Sequence, residues 1–280
     1  MTISAWFGDT HGNLAMMWRM AQEWQERTGI AIDWIFQVGD FGIFPHEDRL
    51  DAPSRKHAER HGYSIEIALG DFPKVLTGEI EVPIPTYFIR GNHEDQEFLL
   101  NLQKERKDHW LRHPIEVVPN LFYVPDGCIF KLGDVTIAGW GGCWGKNTWE
   151  MDYWSKERAA ENKSGYRRRL NHMTRDMFER LRRERFDILV THDAPTGCGL
   201  RGAPNPKSLL LDPESLSEDG EDGKGMPYIK QLIEETRPRY HFCGHWHEFH
   251  ETAYGETSSF VLDKTIDDGV DRRCMEIVEL

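Results

Sequence analysis

The sequence predicts an α/β fold, and two observations predict it. Short apolar runs with the pattern of buried strands, such as residues 32–38, alternate with segments such as 13–27, in which apolar residues recur at helical spacing. Polar residues follow directly where the strand-like runs end. Successive strand, helix and strand segments of this kind form a βαβ unit, and the functional site of such a sheet lies at the carboxyl ends of its strands.

The first strand-like run, Ile3 to Phe7, ends in the turn Gly8-Asp9-Thr10-His11-Gly12. Asp9 and His11 lie two residues apart at a rigid strand end, and the glycines let the backbone turn closely around them. A carboxylate and an imidazole are both ligands for divalent metals. The alternative is a strand-to-helix turn in which Asp9 is only a turn residue.

The next elements repeat the pattern of a strand followed by polar residues. The amphipathic helix predicted for 13–27 leads to the strand over 32–38, which ends in Gly39-Asp40. A third strand, 86–89, runs into Arg90-Gly91-Asn92-His93-Glu94. Within that run, Arg90 and Glu94 are secondary candidates for the reaction, although such residues are more often structural partners.

Between these strands, residues 43–81 are rich in charge and histidine and show a period only around 63–76. We expect this segment to be an insertion at the rim of the site. Its histidines have no second ligand type spaced beside them, so they are expected to be surface residues: His46, His57 and His61. A helix is predicted for 95–104.

Strands are predicted at 121–124 and 128–139, and they lead into a loop over 140–154 that alternates glycine with tryptophan. Two roles are open for Trp140, Trp144, Trp149 and Trp154. They could stack on a base or ring of the substrate, or they could pack the loop onto the protein body.

The clearest helical pattern covers 166–184 and carries many arginines, which either grip phosphates or form a solvated face. A fourth strand at 186–190 ends in Thr191-His192. Residues 197–225, rich in glycine, proline and acidic residues, are expected to be a second insertion forming a surface loop. The last strand-like run before the tail, 239–243, follows a helix predicted for residues 227 to 236.

That fifth strand ends in Gly244-His245-Trp246-His247, and the tail after residue 251 is predicted to form hairpin strands that complete a sheet. The chain has 280 residues, of which 39% are hydrophobic, and this composition predicts one domain over residues 1–280. We found no apolar run of membrane-spanning length and no leader pattern, so the protein is expected in the cytoplasm without a membrane partner. Five scattered cysteines are expected to be reduced and mostly buried.

The net charge of −13 argues against a protein that holds long nucleic acid non-specifically, because such binding depends on neutralising phosphates. Bound cations could offset part of this acidity. The strand ends together supply more oxygen and imidazole ligands than one ion needs, which predicts a site for two divalent ions. Mn²⁺ is the expected metal, with Fe, Zn²⁺ and Mg²⁺ as alternatives.

These strand-end motifs resemble the ordered signature blocks of the calcineurin-like metallophosphoesterases: Gly8 to Gly12, Gly39-Asp40, Gly91 to Glu94, Thr191-His192 and Gly244 to His247. The resemblance implies a four-layer αββα sandwich of two mixed β-sheets flanked by helices. It also implies that Asp9, His11 and His247 hold a first ion, that Asn92, His192 and His245 hold a second, and that Asp40 bridges them. By the same resemblance, His93 is the catalytic acid near the leaving group.

A looser likeness connects the chain to lariat RNA debranching enzymes. It rests on Gly39 to Phe41, Pro85 to Ile89 with the following Gly-Asn-His-Glu, Pro119 to Leu121 and Ile137 to Gly142. Asp9 stands where those enzymes typically have cysteine.

Three functions follow as hypotheses. The first is a binuclear phosphoesterase that hydrolyses a phosphomonoester or a small phosphodiester, such as a phosphorylated small molecule or nucleotide, with hydroxide generated between two cations and His93 protonating the departing oxygen. The second is an RNA or DNA phosphodiesterase, for which the arginine helix and tryptophan loop would place the nucleic acid. The third is a metal-binding interaction module that has lost activity.

Overall fold

The computed structural model describes residues 2–106, 110–145, 149–150, 170–200, 225–265 and 273–280. Two six-stranded sheets form its centre. The strands of the first sheet are β1 (Ile3–Phe7), β2 (Trp34–Gln37), β3 (Thr86–Phe88), β4 (Ile115–Val118), β5 (Leu121–Tyr123) and β12 (Met275–Glu279). The strands of the second are β6 (Ile129–Leu132), β7 (Val135–Trp140), β8 (Ile188–Thr191), β9 (Tyr240–Cys243), β10 (His250–Tyr254) and β11 (Thr257–Val261).

Both sheets are mixed. The first has the order β12-β1-β2-β3-β5-β4, with a parallel centre and an antiparallel strand at each edge. The second has the order β10-β11-β9-β8-β7-β6 and is arranged in the same way. Because the parallel strands of a sheet point the same way, the residues that follow β1, β2 and β3 emerge at one edge, and those that follow β8 and β9 emerge together likewise.

Helices flank the sheets. Their bounds are α1 (Leu14–Thr28), α2 (Ala52–His61), α3 (Ile65–Leu69), α4 (Phe72–Leu76), α5 (Gln96–Arg106), α6 (Arg175–Leu181) and α7 (Pro227–Thr236). A 3₁₀ turn over Glu47–Arg49 precedes α2. Side chains of α1, α4 and α5 share a buried cluster with the first sheet, and those of α6 and α7 share another with the second.

The alternation of side chains along the strands builds the layers. In β1, Ala5 and Phe7 face the helices, while Trp6 faces the other sheet. Trp6 is fully buried and stacks on Phe36 of its own sheet and on Phe242 of the opposite sheet, with ring centroids 5.3 and 3.9 Å away. A third apolar layer thus lies between the sheets, and the predicted αββα sandwich is confirmed.

Several predicted elements differ from the structure. The tail does not complete one sheet: β10 and β11 form a hairpin in the second sheet, whereas β12 pairs with β1 in the first. Strand β4 was not predicted. The segment 43–81 contains the helices α2, α3 and α4, although a period was visible only around 63–76.

The second predicted insertion, around 197–225, lies largely outside the described residues, and the division into one domain stays a prediction. Among the residues that the structure does describe, no helix is both long and apolar enough to cross a membrane. Four of the cysteines are buried, and Cys143 is partly buried.

Candidate metal centre

The structure brings together the side chains predicted as ligands, and it does so from both sheets. Asp9, Asp40 and Asn92 follow β1, β2 and β3 of the first sheet, whereas His192, His245 and His247 follow β8 and β9 of the second. The strand ends therefore meet at the junction between two sheets. This arrangement arises because the chain starts a second sheet after β5.

One group of ligand-type atoms consists of Asp9, His11 and His247, whose ligand atoms lie within 4.8 Å of one another. The Nε2 atoms of His11 and His247 are 2.9 Å apart, and Asp9 Oδ2 is 3.0 Å from His247 Nε2. Asp9 Oδ2 is buried and has no hydrogen-bond partner in the described part of the chain. Burying a carboxylate oxygen without a hydrogen bond costs free energy, and a cation bound in front of the oxygen would offset that cost.

A second group consists of Asp40, His192 and His245, again within 4.8 Å. His192 Nδ1 lies 3.0 Å from the carbonyl oxygen of Val38, which can only accept a hydrogen bond, so Nδ1 carries the proton. In the neutral ring, Nε2 then presents a lone pair to Asn92 Oδ1 at 3.1 Å and to Asp40 Oδ1 at 3.5 Å. Lone pairs that converge in this way fit a divalent cation.

Asp40 lies between the two groups. Its Oδ2 is 3.9 Å from His11 Nε2 in the first group, and its Oδ1 faces His192 in the second. Burial by itself raises the pKa of Asp40, but the surrounding histidines, His192 first, lower it below the usual value. Burial also raises the pKa of Asp9, but neighbouring histidines, His247 first, lower it below its usual value. Both side chains are therefore carboxylates at neutral pH.

Burial keeps two of the histidines, His11 and His245, neutral. Burial lowers the pKa of His11 and of His245, although Asp40 and Asp9 partly oppose this. A neutral imidazole is the form that binds a metal. The donor set of the site therefore fits two divalent ions, with carboxylates and neutral imidazoles and without thiolates.

The backbone at these positions is unusual. Among the described residues, six non-glycine residues have positive φ, and four of them are predicted ligands: His11 (45°), Asp40 (54°), His245 (69°) and His247 (53°). This conformation costs free energy for a residue with a side chain, and such strain concentrates at functional sites.

Glycines beside the ligands leave room for them. A Cβ at Gly91 would come within 2.1 Å of Asp40 Oδ1, one at Gly244 within 2.2 Å of Asp9 Oδ1, and one at Gly39 within 2.4 Å of His192 Nδ1. The Gly-Asp, Gly-Asn and Gly-His pairs of the sequence are thus explained by close approach of the backbone to the carboxylates and imidazole.

The family model for calcineurin-like phosphoesterase matches residues 5–249, which include all the strand ends of the site. The chain belongs to the calcineurin-like phosphoesterase family. This membership confirms the predicted family.

Curated relatives of this calcineurin-like phosphoesterase include lariat debranching enzymes. The one from Caenorhabditis briggsae is 28% identical over 260 residues, which cover 86% of this chain and 45% of that protein. The one from Saccharomyces cerevisiae is 27% identical and covers 86% of this chain and 55% of that protein. The chain thus spans about half the length of these relatives. A solved crystal structure aligns over 94% of this chain and 90% of its own, with a TM-score of 0.52 and 12% identity, which shows a shared fold.

His93 lies beside the centre, and its partner was missed in the sequence. Its Nδ1 is 2.8 Å from Asp51 Oδ2, and its ring centroid is 5.6 Å from that of His11. Burial alone lowers the pKa of His93, but the hydrogen bond to Asp51 and the charges of Asp40 and Glu94 outweigh it and raise the pKa to about 9. Asp51 precedes α2 as its N-cap, and this cap pattern is the only sequence signal that could have drawn attention to it.

Arg90 and Glu94 are structural partners, as expected. Arg90 pairs with the buried Asp126 and donates to the carbonyl oxygen of Leu170. The Glu94 carboxylate accepts backbone N–H bonds from Phe41, Gly42 and Ile43 and so shapes the loop after Asp40. Burial, with the charge of Asp40, raises the pKa of Glu94 to about 8.

The tryptophans described by the structure pack onto the protein body. Trp140 and Trp149 are buried and lie in the cluster with α6 and α7, while Trp144 contacts Trp149 and Tyr228. Trp154 and residues 166–169 lie outside the described residues. The helix predicted over 166–184 is too long, because the described part of that range is helical mainly over Arg175–Leu181 and residues 171–174 are not helical. In the described part of that helix, Arg175 and Arg182 pair with Glu150 and Glu235.

Proposed function

We propose that this protein is a divalent-metal-dependent phosphoesterase that hydrolyses a phosphomonoester or a small phosphodiester. In this proposal Asp9, His11 and His247 hold one ion, and Asn92, His192 and His245 hold a second, with the catalytic Asp40 between them. The observation that carries it is the convergence of side chains from two sheets into two adjacent groups of ligand-type atoms, with the buried carboxylates of Asp9 and Asp40 among them. Two ions there would polarise the phosphoryl oxygens and make a water acidic enough to attack at neutral pH.

The residues of the chain perform the remaining steps. The carboxylates of Asp9 and Asp40 are ionised, so they supply the negative charge that divalent ions need. His93 protonates the departing oxygen of the substrate. Asp51 accepts the hydrogen bond from His93 Nδ1 and thereby directs Nε2 as the proton-donating atom. The raised pKa keeps that proton on His93 at neutral pH.

Hydrolysis of p-nitrophenyl phosphate and bis-p-nitrophenyl phosphate after addition of Mn²⁺ tests the proposal, and a series with Fe²⁺, Zn²⁺ and Mg²⁺ tests the choice of manganese. We expect turnover by the wild type and a loss of at least roughly 100-fold for Asp40→Asn, because the bridging carboxylate is removed. Asp48→Asn is the matched control, since that side chain is 85% exposed and should have no effect. Two bound metals without turnover of any ester would favour the inactive binding module instead.

A second candidate is an RNA phosphodiesterase. It is supported by the lariat debranching enzymes among the relatives, which match 86% of this chain. A pair of dinucleotides with 2′,5′ and 3′,5′ linkages tests it directly. Faster hydrolysis of the 2′,5′ linkage would support debranching, whereas cleavage of monoesters alone would exclude it.

A further inference from the structure

Three exposed rings form a continuous surface at the end of α2. We call His57, His61 and Tyr63 the rim cluster. The ring centroids are 4.4 Å apart for His57 and His61, 5.7 Å for His61 and Tyr63, and 6.1 Å for His57 and Tyr63. His57 and His61 are one helical turn apart and so share a face of α2.

The backbone holds this surface in place. Gly62, with φ of 69°, ends α2 in the left-handed conformation, and the N–H of Tyr63 then donates to the carbonyl oxygen of Ala58. Tyr63 is therefore folded back along the helix, yet it is 50% exposed. Of the described residues, only Ile30, Tyr63 and Ile67 are large hydrophobic side chains with such exposure, and two of them lie in this stretch. The exposed ring of Tyr63, with the two imidazoles beside it, offers ring surface to a ligand.

The same helix is basic within an acidic protein. Residues 52–61 contain Arg55, Lys56 and Arg60 against a single acidic residue, Glu59, whereas the whole chain has a net charge of −13. Lys56 and Arg60 are exposed and pair with no carboxylate in the described part of the chain. These cations are available to an anionic ligand.

The rim cluster borders the metal centre. Asp51, the N-cap of α2, contacts His93, and a helix rises about 1.5 Å per residue, so His57 and His61 lie roughly 9–15 Å from Asp51 along the helix axis. Lys264 lies within electrostatic reach of His57. Its neighbour Thr265 donates its N–H to the carbonyl oxygen of Asp9 at 2.7 Å. Burial, together with the charges of His61, Lys264, Arg60 and His93, lowers the pKa of His57, which places these groups within electrostatic reach of one another.

We propose that the rim cluster is a stacking subsite for a base of single-stranded nucleic acid whose scissile phosphate lies at the metal centre. This inference rests on the second candidate function, a nucleic acid phosphodiesterase, and places a base-binding subsite beside that site. Ring faces stack on any base, and Lys56 and Arg60 lie where flanking phosphates would follow. A peptide would offer a planar face only at occasional aromatic residues, so the row of three rings favours nucleic acid.

Binding is tested without cleavage by fluorescence anisotropy in EDTA, using a labelled oligo(U) hexamer, the matching oligo(dT) and an abasic hexamer of the same length. We expect the wild type to bind both base-containing strands more tightly than the abasic one. The variant His57→Ala/His61→Ala/Tyr63→Ala should weaken binding by about 10- to 100-fold and lose this preference. Tyr63→Phe, which keeps the ring, should bind like the wild type. His113→Ala, an exposed histidine elsewhere, is the matched control.

Equal affinity of the triple variant and the wild type for oligo(U) would overturn the inference, as would equally tight binding of a phosphopeptide to the wild type. Hydrolysis of bis-p-nitrophenyl phosphate, which has no base, separates the two proposals. The triple variant should retain the wild-type rate on that ester. If the wild type binds oligonucleotides through the cluster but cleaves no ester with any metal, the proposed function fails while the subsite stands.

Discussion

The proposed proton transfer from His93 depends on one hydrogen bond, which His93 makes to Asp51. The 2.8 Å contact between His93 Nδ1 and Asp51 Oδ2 fixes the ring and assigns the transferable proton to the other nitrogen. The same carboxylate accepts from the N–H of Ser54 through its other oxygen and so caps α2. Asp51 is therefore a positioning residue that connects a helix end to the proposed acid.

Asp51→Asn is expected to lower kcat by roughly 10- to 100-fold for phenyl phosphate, whose leaving group needs a proton. For p-nitrophenyl phosphate, with its better leaving group, the loss should be less than about 3-fold. Asparagine still caps a helix, so α2 should remain intact. Steady-state kinetics on the two substrates measure the contrast, and an equal loss on both would show that Asp51 has only a structural role.

His241 gives stability a dependence on pH. It is fully buried between the hydroxyl groups of Thr191 and Ser259, and burial lowers its pKa from 6.5 to about 3. Between these values the unfolded chain binds a proton that the folded protein excludes. Stability from this residue is thus complete above pH 6.5 and is lost as the pH falls toward 3.

We therefore expect the free energy of unfolding to fall below pH 6.5 by about 1.4 kcal/mol per pH unit from this residue. His241→Asn cannot titrate and should show a flatter slope, even though its overall stability is lower. Urea denaturation at pH 5 to 8 in EDTA compares the two proteins. Parallel slopes would mean that His241 also binds a proton in the folded protein over this pH range.

At the level of single residues, the predicted ligand positions were recoverable because each follows an apolar run. Asp9, Asp40 and Asn92 needed only the recognition of strand ends. Asp51 could not be found in this way, since it lies 42 residues from His93 and precedes a helix. Its role depends on how α2 folds over the site, and no local pattern records that.

At the level of elements, glycines determine how closely the strand-end turns approach each other. Gly91 does not have a positive φ, so glycine is needed there only because a larger side chain would not fit. A Cβ there would meet the backbone nitrogen and Oδ1 of Asp40, both at 2.1 Å. The backbone of the turn after β3 therefore lies against the Asp40 side chain in the turn after β2.

Gly91→Ala should displace Asp40, reduce the free energy of unfolding by about 2–3 kcal/mol and weaken Mn²⁺ binding by at least roughly 10-fold. Gly78→Ala is the contrasting control, because it has φ of 75° but nothing within 4 Å, so it should cost only about 1 kcal/mol of backbone strain. Calorimetric titration with Mn²⁺ and thermal denaturation measure both effects. Normal metal affinity in Gly91→Ala would contradict this account of the turn.

The elements that were predicted well are those whose periodicity reflects burial on one face. Helix α1 was predicted at 13–27 and observed at Leu14–Thr28. Strand β4 escaped detection because its burial alternates only weakly along four residues at a sheet edge. The tail was assigned to one sheet because strand patterns carry no information about which edge is open.

At the level of the whole molecule, the metal centre joins the two sheets. The first sheet supplies Asp9, Asp40 and Asn92, and the second supplies His192, His245 and His247. Bound ions would therefore cross-link the layers of the sandwich, and the folded state would gain stability by mass action.

Addition of Mn²⁺ to chelator-treated protein should raise the melting temperature, with about 2.7 kcal/mol per site when the free metal is 100 times its dissociation constant. Asp40→Asn should show a much smaller rise, and His113→Ala the full one. Differential scanning calorimetry at constant ionic strength measures the shift. Identical melting with chelator and with metal would be inconsistent with a centre that bridges the sheets.

The stacked ring of Trp6 also joins the two sheets a short way from the strand ends. It lies three residues before Asp9, about 10 Å along the strand, and its centroid is 3.9 Å from that of Phe242 on the facing layer. An apolar contact between the layers thus helps to keep the strand ends of one sheet facing those of the other, so the spacing of the polar groups depends partly on a ring in the core.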